Sequence, residues 1–326
     1  MSALADKEEE DHWFTVMRTL LHYEDFVGFD LGRRQERINK LPLKYADRLP
    51  NVSYDKFQGL QHACEANQAF LDDMVQFQVE SSFHGRSDAQ PVYPSKDGPT
   101  IPLGQQHRNI AVLHSAYREW SAEGRNERDS TFKLLVDELK LRLPVNSSNV
   151  YQQKVLVPGC GLGRLPLEIA ASGYSCQGNE YSAFMAIASN FLLNGVEQAG
   201  EYRIHPWISN VCNIANAVDS MQAVVVPDVA AGELLHRFEQ QLQSGALDST
   251  TSGGSDGSSG GEQVETALVV SNSHSLLSAT GRVTQFPRFS MAAGDFVEVY
   301  TNLKNTSKWD AVVTCFFVDT APVVLE

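Results

Sequence analysis

Lys154-Val155-Leu156-Val157-Pro158-Gly159-Cys160-Gly161-Leu162-Gly163-Arg164 is the stretch that decides the fold. Its first five residues are a short apolar run of the kind buried in a parallel strand. The glycines that follow let the backbone pass close to a ligand where a side chain would collide. A helix is predicted next, through Leu167, Ile169 and Ala170, stopped by Gly173. Tyr174-Ser175-Cys176-Gln177-Gly178 then reads as a second strand ending at Asn179-Glu180, and Ser182 is placed to cap a helix whose apolar face holds Phe184, Ile187, Phe191 and Leu192. Strand, helix, strand, helix in this order predicts an α/β protein built on a parallel sheet.

Upstream of this stretch the texture is helical. Phe57, Leu60, Cys64, Leu71, Met74 and Val75 recur at spacings of three and four, which predicts an amphipathic helix over 56–80. Residues 82–104 carry four prolines and several glycines and read as a loop. Helices are expected from about Gln105 to Trp120 and through Phe132, Leu135, Val136 and Leu139, separated by Glu123-Gly124-Arg125. The boundary between the N-terminal helical region and the sheet domain is therefore drawn at 1–150 and 151–326. Downstream, residues 244–263 are Ser, Gly, Thr and Asp with almost nothing apolar, which predicts a disordered insertion. Order is expected to resume near Phe289, and Ala311–Val318 reads as another buried strand with Asp319 at its end.

Composition narrows the functional classes. Forty acidic against twenty-six basic residues give a formal charge of −14, so the chain is not expected to hold nucleic acid by bulk electrostatics, and a cationic ligand suits it better. Twelve of those acids, against five bases, fall in residues 228–326, and Asp6–Asp11 reads as a solvated acidic tail. That N-terminus has the wrong composition for a signal or transit peptide. No apolar run is long enough for a membrane span. The five cysteines (Cys64, Cys160, Cys176, Cys212, Cys315) form no metal-binding or disulfide pattern, which fits a reducing compartment: the cytosol, with the nucleus as a second location. No metal is expected, and a homodimer is compatible with the sequence.

The site residues follow from position. Glu180 lies 21 positions past Gly159, and an acid about 20 residues beyond such a turn accepts hydrogen bonds from ribose hydroxyls. A dinucleotide fold wants a further glycine where Arg164 stands; its absence tilts the reading from NAD towards S-adenosylmethionine, whose sulfonium suits an acidic protein. Asp295, in Gly294-Asp295-Phe296, falls where a third-strand loop should lie; it reads as an adenine-binding acid, with Phe296 to cover the ring, or as a turn or cap residue. Asp319 follows an apolar strand, on the side of an α/β sheet where ligands bind. Cys315, within the same strand, reads by itself as a small apolar packing residue. His205-Pro206-Trp207 reads as a site or a packing corner, and Arg118 as an ordinary helix-surface residue.

Taken together, Val155–Leu165, Gly173–Ser182, Ser189–Asn194, His205–Ile208, Pro227–Val229, Phe289–Phe296 and Trp309–Thr320, with Arg118–Ser121 and Glu127–Asp129, closely resemble the carnosine N-methyltransferase family over about residues 10–321. The resemblance implies an N-terminal helical region on a class I methyltransferase, Rossmann-like sheet, and methyl transfer from S-adenosylmethionine to an imidazole nitrogen of carnosine, giving anserine, or of related histidine dipeptides. It implies that Arg118 holds the methionine carboxylate, that Gly159 and Gly161 line the cofactor, that Glu180 binds ribose, that Asp295 and Phe296 bind adenine, that Cys315 borders the cofactor and that Asp319 touches the substrate imidazole. Three departures stand out. Ser115 replaces a glutamine that helps hold the cofactor, Pro322 follows Asp319-Thr320-Ala321 where the family has His-Asn, and the family continues beyond Glu326 through its fifth to seventh strands, with further substrate-binding His and Tyr residues. The expectation is an incomplete sheet. Competing readings are a catalytically incomplete, truncated cofactor-binding form and a different dinucleotide enzyme, the latter disfavoured by Arg164.

Overall fold

The computed structural model describes residues 3–42, 50–83, 92–98, 100–209, 219–244, 269–272, 288–301 and 305–320. The chain forms two units: Met1–Gly124 with Gln198–Asp228, and Arg125–Glu197 with Val229–Glu326. The division crosses the chain three times rather than once near residue 150.

Among the described residues, the first unit contains the helices α1 (Ala3–Leu21), α2 (Tyr23–Asn39), α3 (Pro50–Phe83) and α4 (Leu103–Trp120). The helical reading of this region is therefore borne out. The acidic run Asp6–Asp11 lies within α1. Leu60, Cys64, Leu71, Met74 and Val75 of α3 are all buried, as their spacing predicts, beside Val16, Leu20 and Val27. Two buried polar residues in the middle of α3 tie this unit together, and the first of them holds a distant segment to it. Asn67 Nδ2 donates to the Tyr23 hydroxyl and to the His205 carbonyl, both at 2.9 Å, and its Oδ1 accepts the His205 N–H at 2.7 Å. Gln68 Oε1 accepts the Glu24 N–H at 2.8 Å, and its amide donates to Leu20 O at 3.2 Å.

The strands, in chain order, are β1 (Lys154–Pro158), β2 (Ser175–Glu180), β3 (Tyr202–Ile204), β4 (Val224–Val226), β5 (Val269–Asn272), β6 (Phe289–Ala293) and β7 (Ala311–Val312). β3 and β4 pair antiparallel within the first unit. The others form the sheet of the second unit in the order β5-β6-β2-β1-β7, every pair parallel. Val155, Leu156 and Val157 are nearly fully buried, as a strand covered on both faces requires. The same unit contains α5 (Arg125–Ser130), α6 (Phe132–Arg142), α7 (Arg164–Ala170), α8 (Ala183–Asn190), α9 (Ala231–Gln243) and α10 (Phe296–Tyr300). This is the α/β architecture with a parallel sheet that the 154–190 pattern predicts.

Two expectations about the later strands need correction. The strand β5 lies twenty residues before Phe289, as an outer strand beside β6. The expected insertion at 244–263 lies outside the described residues apart from Ser244, which ends α9. The buried strand expected over 311–318 is paired only at Ala311 and Val312. Asp310 and Val313 still donate to the Lys154 and Leu156 carbonyls, at 2.8 and 2.9 Å. Beyond them the chain leaves the ladder: Phe316 has φ +53° and is 74% exposed, and Asp319 sits in an exposed 3-10 turn, Val318–Thr320, rather than at a strand end. The physical reason is the edge position, because among the described residues β7 has a hydrogen-bonded neighbour only in β1. An apolar run needs partners on both sides to behave as a central strand.

Candidate functional site

The carboxyl ends of β1, β2 and β6 meet at the glycine turn. Gly159, Gly161 and Gly163 have φ of +60°, +57° and +80°, a left-handed conformation that glycine adopts without cost. The turn is tied to β2 at two points: the Cys160 N–H donates to Asn179 O at 3.0 Å, and the Gly161 N–H to Glu180 Oε2 at 2.9 Å. The other oxygen of Glu180 accepts the Ser182 N–H at 2.8 Å. Burial raises the Glu180 carboxyl above the ordinary carboxylate range, opposed by those backbone donors. Glu180 is therefore a half-buried acceptor that bridges the glycine turn and the start of α8.

Asn179 is a position at the rim of the turn that the sequence reading passed over. It is buried, and its amide donates to Ala292 O at 3.2 Å and Gly294 O at 3.0 Å, while Gly294 N donates to Glu180 O at 2.9 Å. These bonds hold the end of β2 to the loop after β6, so Glu180 and Asp295 belong to one rigid rim. The available signal was a polar side chain at the penultimate position of a buried strand. Below the rim, a Cβ on Gly178 would stand 2.5 Å from Met291 Sδ and 2.8 Å from Cys160 Sγ, so a larger residue there displaces those side chains.

Asp295 caps α10, its Oδ1 accepting the Val297 and Glu298 N–H groups at 2.9 and 3.1 Å. Capping was one of the two readings of this residue, and it orients the carboxylate. Phe296 follows, its ring 5.2 Å from Tyr300 and 5.4 Å from Phe317. Tyr300 is held in turn by Gln177 Oε1 at 2.9 Å, and Gln177 donates to Ser290 Oγ at 3.0 Å.

The remaining expected residues are placed as follows. Cys315 is half-buried and Asp319 exposed, both on the segment after β7 in the same unit as the turn. Arg118 belongs to the other unit, in the last turn of α4, with its guanidinium 3.7 Å from Glu119 Oε1. Arg164 is buried, and its Nε donates to Glu168 at 2.8 Å within α7. His205 is a packing corner: its ring N–H donates to Met221 O at 2.8 Å, and Trp207 lies against His114 and Tyr117 at 4.5 and 5.1 Å. Burial pushes the His114 imidazole below its ordinary value.

A parallel sheet with a left-handed glycine turn after its first strand, an acid closing the second and an Asp-aromatic pair after the neighbouring strand has the organisation of a class I methyltransferase. The family model for carnosine N-methyltransferase matches residues 99–251 and 273–326. The chain belongs to the carnosine N-methyltransferase family. It is 30% identical to the carnosine N-methyltransferase of Dictyostelium discoideum over 98% of this chain and 59% of that protein. Against the enzymes of that name from Mus musculus and Rattus norvegicus it is 26% and 28% identical, over 98% of this chain and 66% of each of theirs. The chain thus spans less than two thirds of the length of these relatives.

Proposed function

We propose that this chain is an S-adenosylmethionine-dependent N-methyltransferase whose substrate is the imidazole of carnosine or a related histidine dipeptide. The observation that carries the reading is the Glu180 carboxylate at the carboxyl end of β2, fixed by the Gly161 and Ser182 N–H groups beside a turn of left-handed glycines. The donor set fits an adenosyl group that carries no phosphate. Glu180 offers acceptor oxygens for ribose hydroxyls. Asp295 keeps Oδ2 for an adenine amino group while Oδ1 caps α10, and Phe296 offers a ring for the base. Arg164, the one cation at the head of α7, is turned inward onto Glu168. Bound there, S-adenosylmethionine supplies an activated methyl on a sulfonium.

The protein's share is positioning. Imidazole titrates near about 6.5, so at neutral pH the ring is mostly neutral and one nitrogen carries a free lone pair. Asp319, on its exposed turn, accepts the N–H of the other nitrogen and so selects the one that is methylated. The family resemblance assigns the methionine carboxylate to Arg118, and Cys315 borders the cofactor. Localisation to the cytosol, with the nucleus as a second compartment, and a homodimer complete the reading; among the described residues no helix is long and apolar enough to cross a membrane.

A second reading, cofactor binding without turnover, is favoured by one observation: the segment that carries Asp319 leaves the sheet after Val312 and is exposed. Calorimetric titration with S-adenosylhomocysteine and with NAD, followed by incubation with S-adenosylmethionine and carnosine, separates the possibilities. Binding of the adenosyl thioether with formation of methylated carnosine is the expected result. Binding without product selects the second reading, and preferential binding of NAD overturns both.

A further inference from the structure

Phe317 has no part in the assignments above, yet it touches both halves of the proposed site. Its ring covers the first glycine of the turn: a Cβ on Gly159 would stand 2.5 Å from Phe317 Cδ2, 3.2 Å from Cγ and 3.3 Å from Cβ. The ring also meets Phe296 edge-on, at 5.4 Å and 71°. Its backbone builds the turn that carries Asp319. The Phe317 carbonyl accepts the Thr320 N–H at 2.9 Å and the Thr320 hydroxyl at 2.6 Å. One residue therefore joins, through its side chain, the glycine turn and the aromatic proposed for the base, and, through its carbonyl, the loop proposed for the imidazole.

We propose that Phe317 is a positioning residue that couples occupancy of the nucleoside site to the placement of Asp319. The inference rests on the functional reading above. A ligand running along Gly159 meets the Phe317 ring, because Gly159 has no side chain to separate them. The ring is wedged against Gly159 backbone and Phe296, so contact or displacement moves the residue as a whole, and with it the carbonyl on which the Asp319 turn is hung. Packed side chains transmit such shifts because they have few alternative positions. Coupling of this kind is reciprocal: the nucleoside tightens the dipeptide by the factor by which the dipeptide tightens the nucleoside.

The test is calorimetry on the full chain. Carnosine is titrated with and without saturating S-adenosylhomocysteine, and S-adenosylhomocysteine with and without saturating carnosine. The wild-type chain is expected to show the same factor in both directions, about fivefold or more. Phe317→Ala is expected to bring that factor close to one, and Phe317→Tyr to retain it. Thr320→Val, which keeps the ring and removes the hydroxyl bond to the Phe317 carbonyl, is expected to lower the factor while leaving the affinity for S-adenosylhomocysteine alone unchanged. It also stands in for Phe317→Ala if that variant does not fold. Independent binding in the wild type, absence of carnosine binding, or a factor that persists in Phe317→Ala or Thr320→Val overturns the proposal and leaves adenosyl binding standing. Failure of S-adenosylhomocysteine to bind the wild type overturns the functional reading as well.

Discussion

Glu180 is asked to do two things that oppose each other. Its burial favours the neutral acid, while ribose binding needs the carboxylate. Because the folded-state pKa lies above the unfolded one, ionisation costs stability. The stability of the fold with a neutral Glu180 is fully present below the unfolded value, about 4.3, and is lost as pH rises through the folded value. Affinity for S-adenosylhomocysteine runs the other way, and on acidification it should begin to fall at a higher pH than an ordinary glutamate would dictate. Titrations between pH 4 and 8, with melting curves of the wild type and Glu180→Gln in the same buffers, read both slopes. Glu180→Ala should weaken S-adenosylhomocysteine by roughly tenfold or more, the worth of a hydrogen bond to a charged acceptor. Asn179→Ala should act differently. It leaves the Ala292 and Gly294 carbonyls without their buried donor, at a cost of about 1–3 kcal/mol, read from denaturant unfolding. Sequence position alone located Glu180, because a strand end and a spacing suffice. It did not reveal Asn179, whose partners lie 113 and 115 residues away in the chain.

Among the elements, the sheet was legible where apolar runs were bracketed by turn residues, as at β1 and β2, and misleading where an apolar run stood alone, as at 311–318. Hydrophobicity reports that a segment can be buried, but whether it forms a ladder depends on a neighbour elsewhere in the chain. β5 was missed for the same reason. The packing between β2 and β6 yields a sharp expectation. Gly178→Ala places a methyl against Met291 Sδ and Cys160 Sγ, and overpacking of this sort costs about 1–3 kcal/mol. Met291→Ala, introduced together with it, should return part of that loss, so a double-mutant cycle by chemical unfolding should give a favourable interaction energy. Additive destabilisation would show that the floor yields elsewhere.

At the scale of the whole molecule, the unit made by the N-terminal helices includes residues 198–228, and polar contacts from the middle of α3 explain why. Asn67 satisfies both the N–H and the carbonyl of His205, 138 residues away. Asn67→Ala should leave these groups and the Tyr23 hydroxyl without their buried partner and destabilise this unit by about 2 kcal/mol or more. Hydrogen exchange should show the His205 amide losing protection, which an unchanged rate would contradict. His205 drew notice in the sequence as a candidate for chemistry, and its place in the fold is this corner.

The sequence by itself determined the class of fold, the turn of left-handed glycines and the acid that faces it, because each depends on local backbone freedom and on strand-helix spacing within about thirty residues. The resemblance of its joined motifs pointed to the family that the comparison then established. Only the tertiary structure decided that the segment after Val313 leaves the ladder, which residues fasten β2 to β6, and that Phe317 lies on Gly159. Those are contacts between segments more than a hundred residues apart, or properties of a sheet edge. Their free energy comes from excluding water and satisfying buried polar groups in three dimensions, which a linear pattern does not encode.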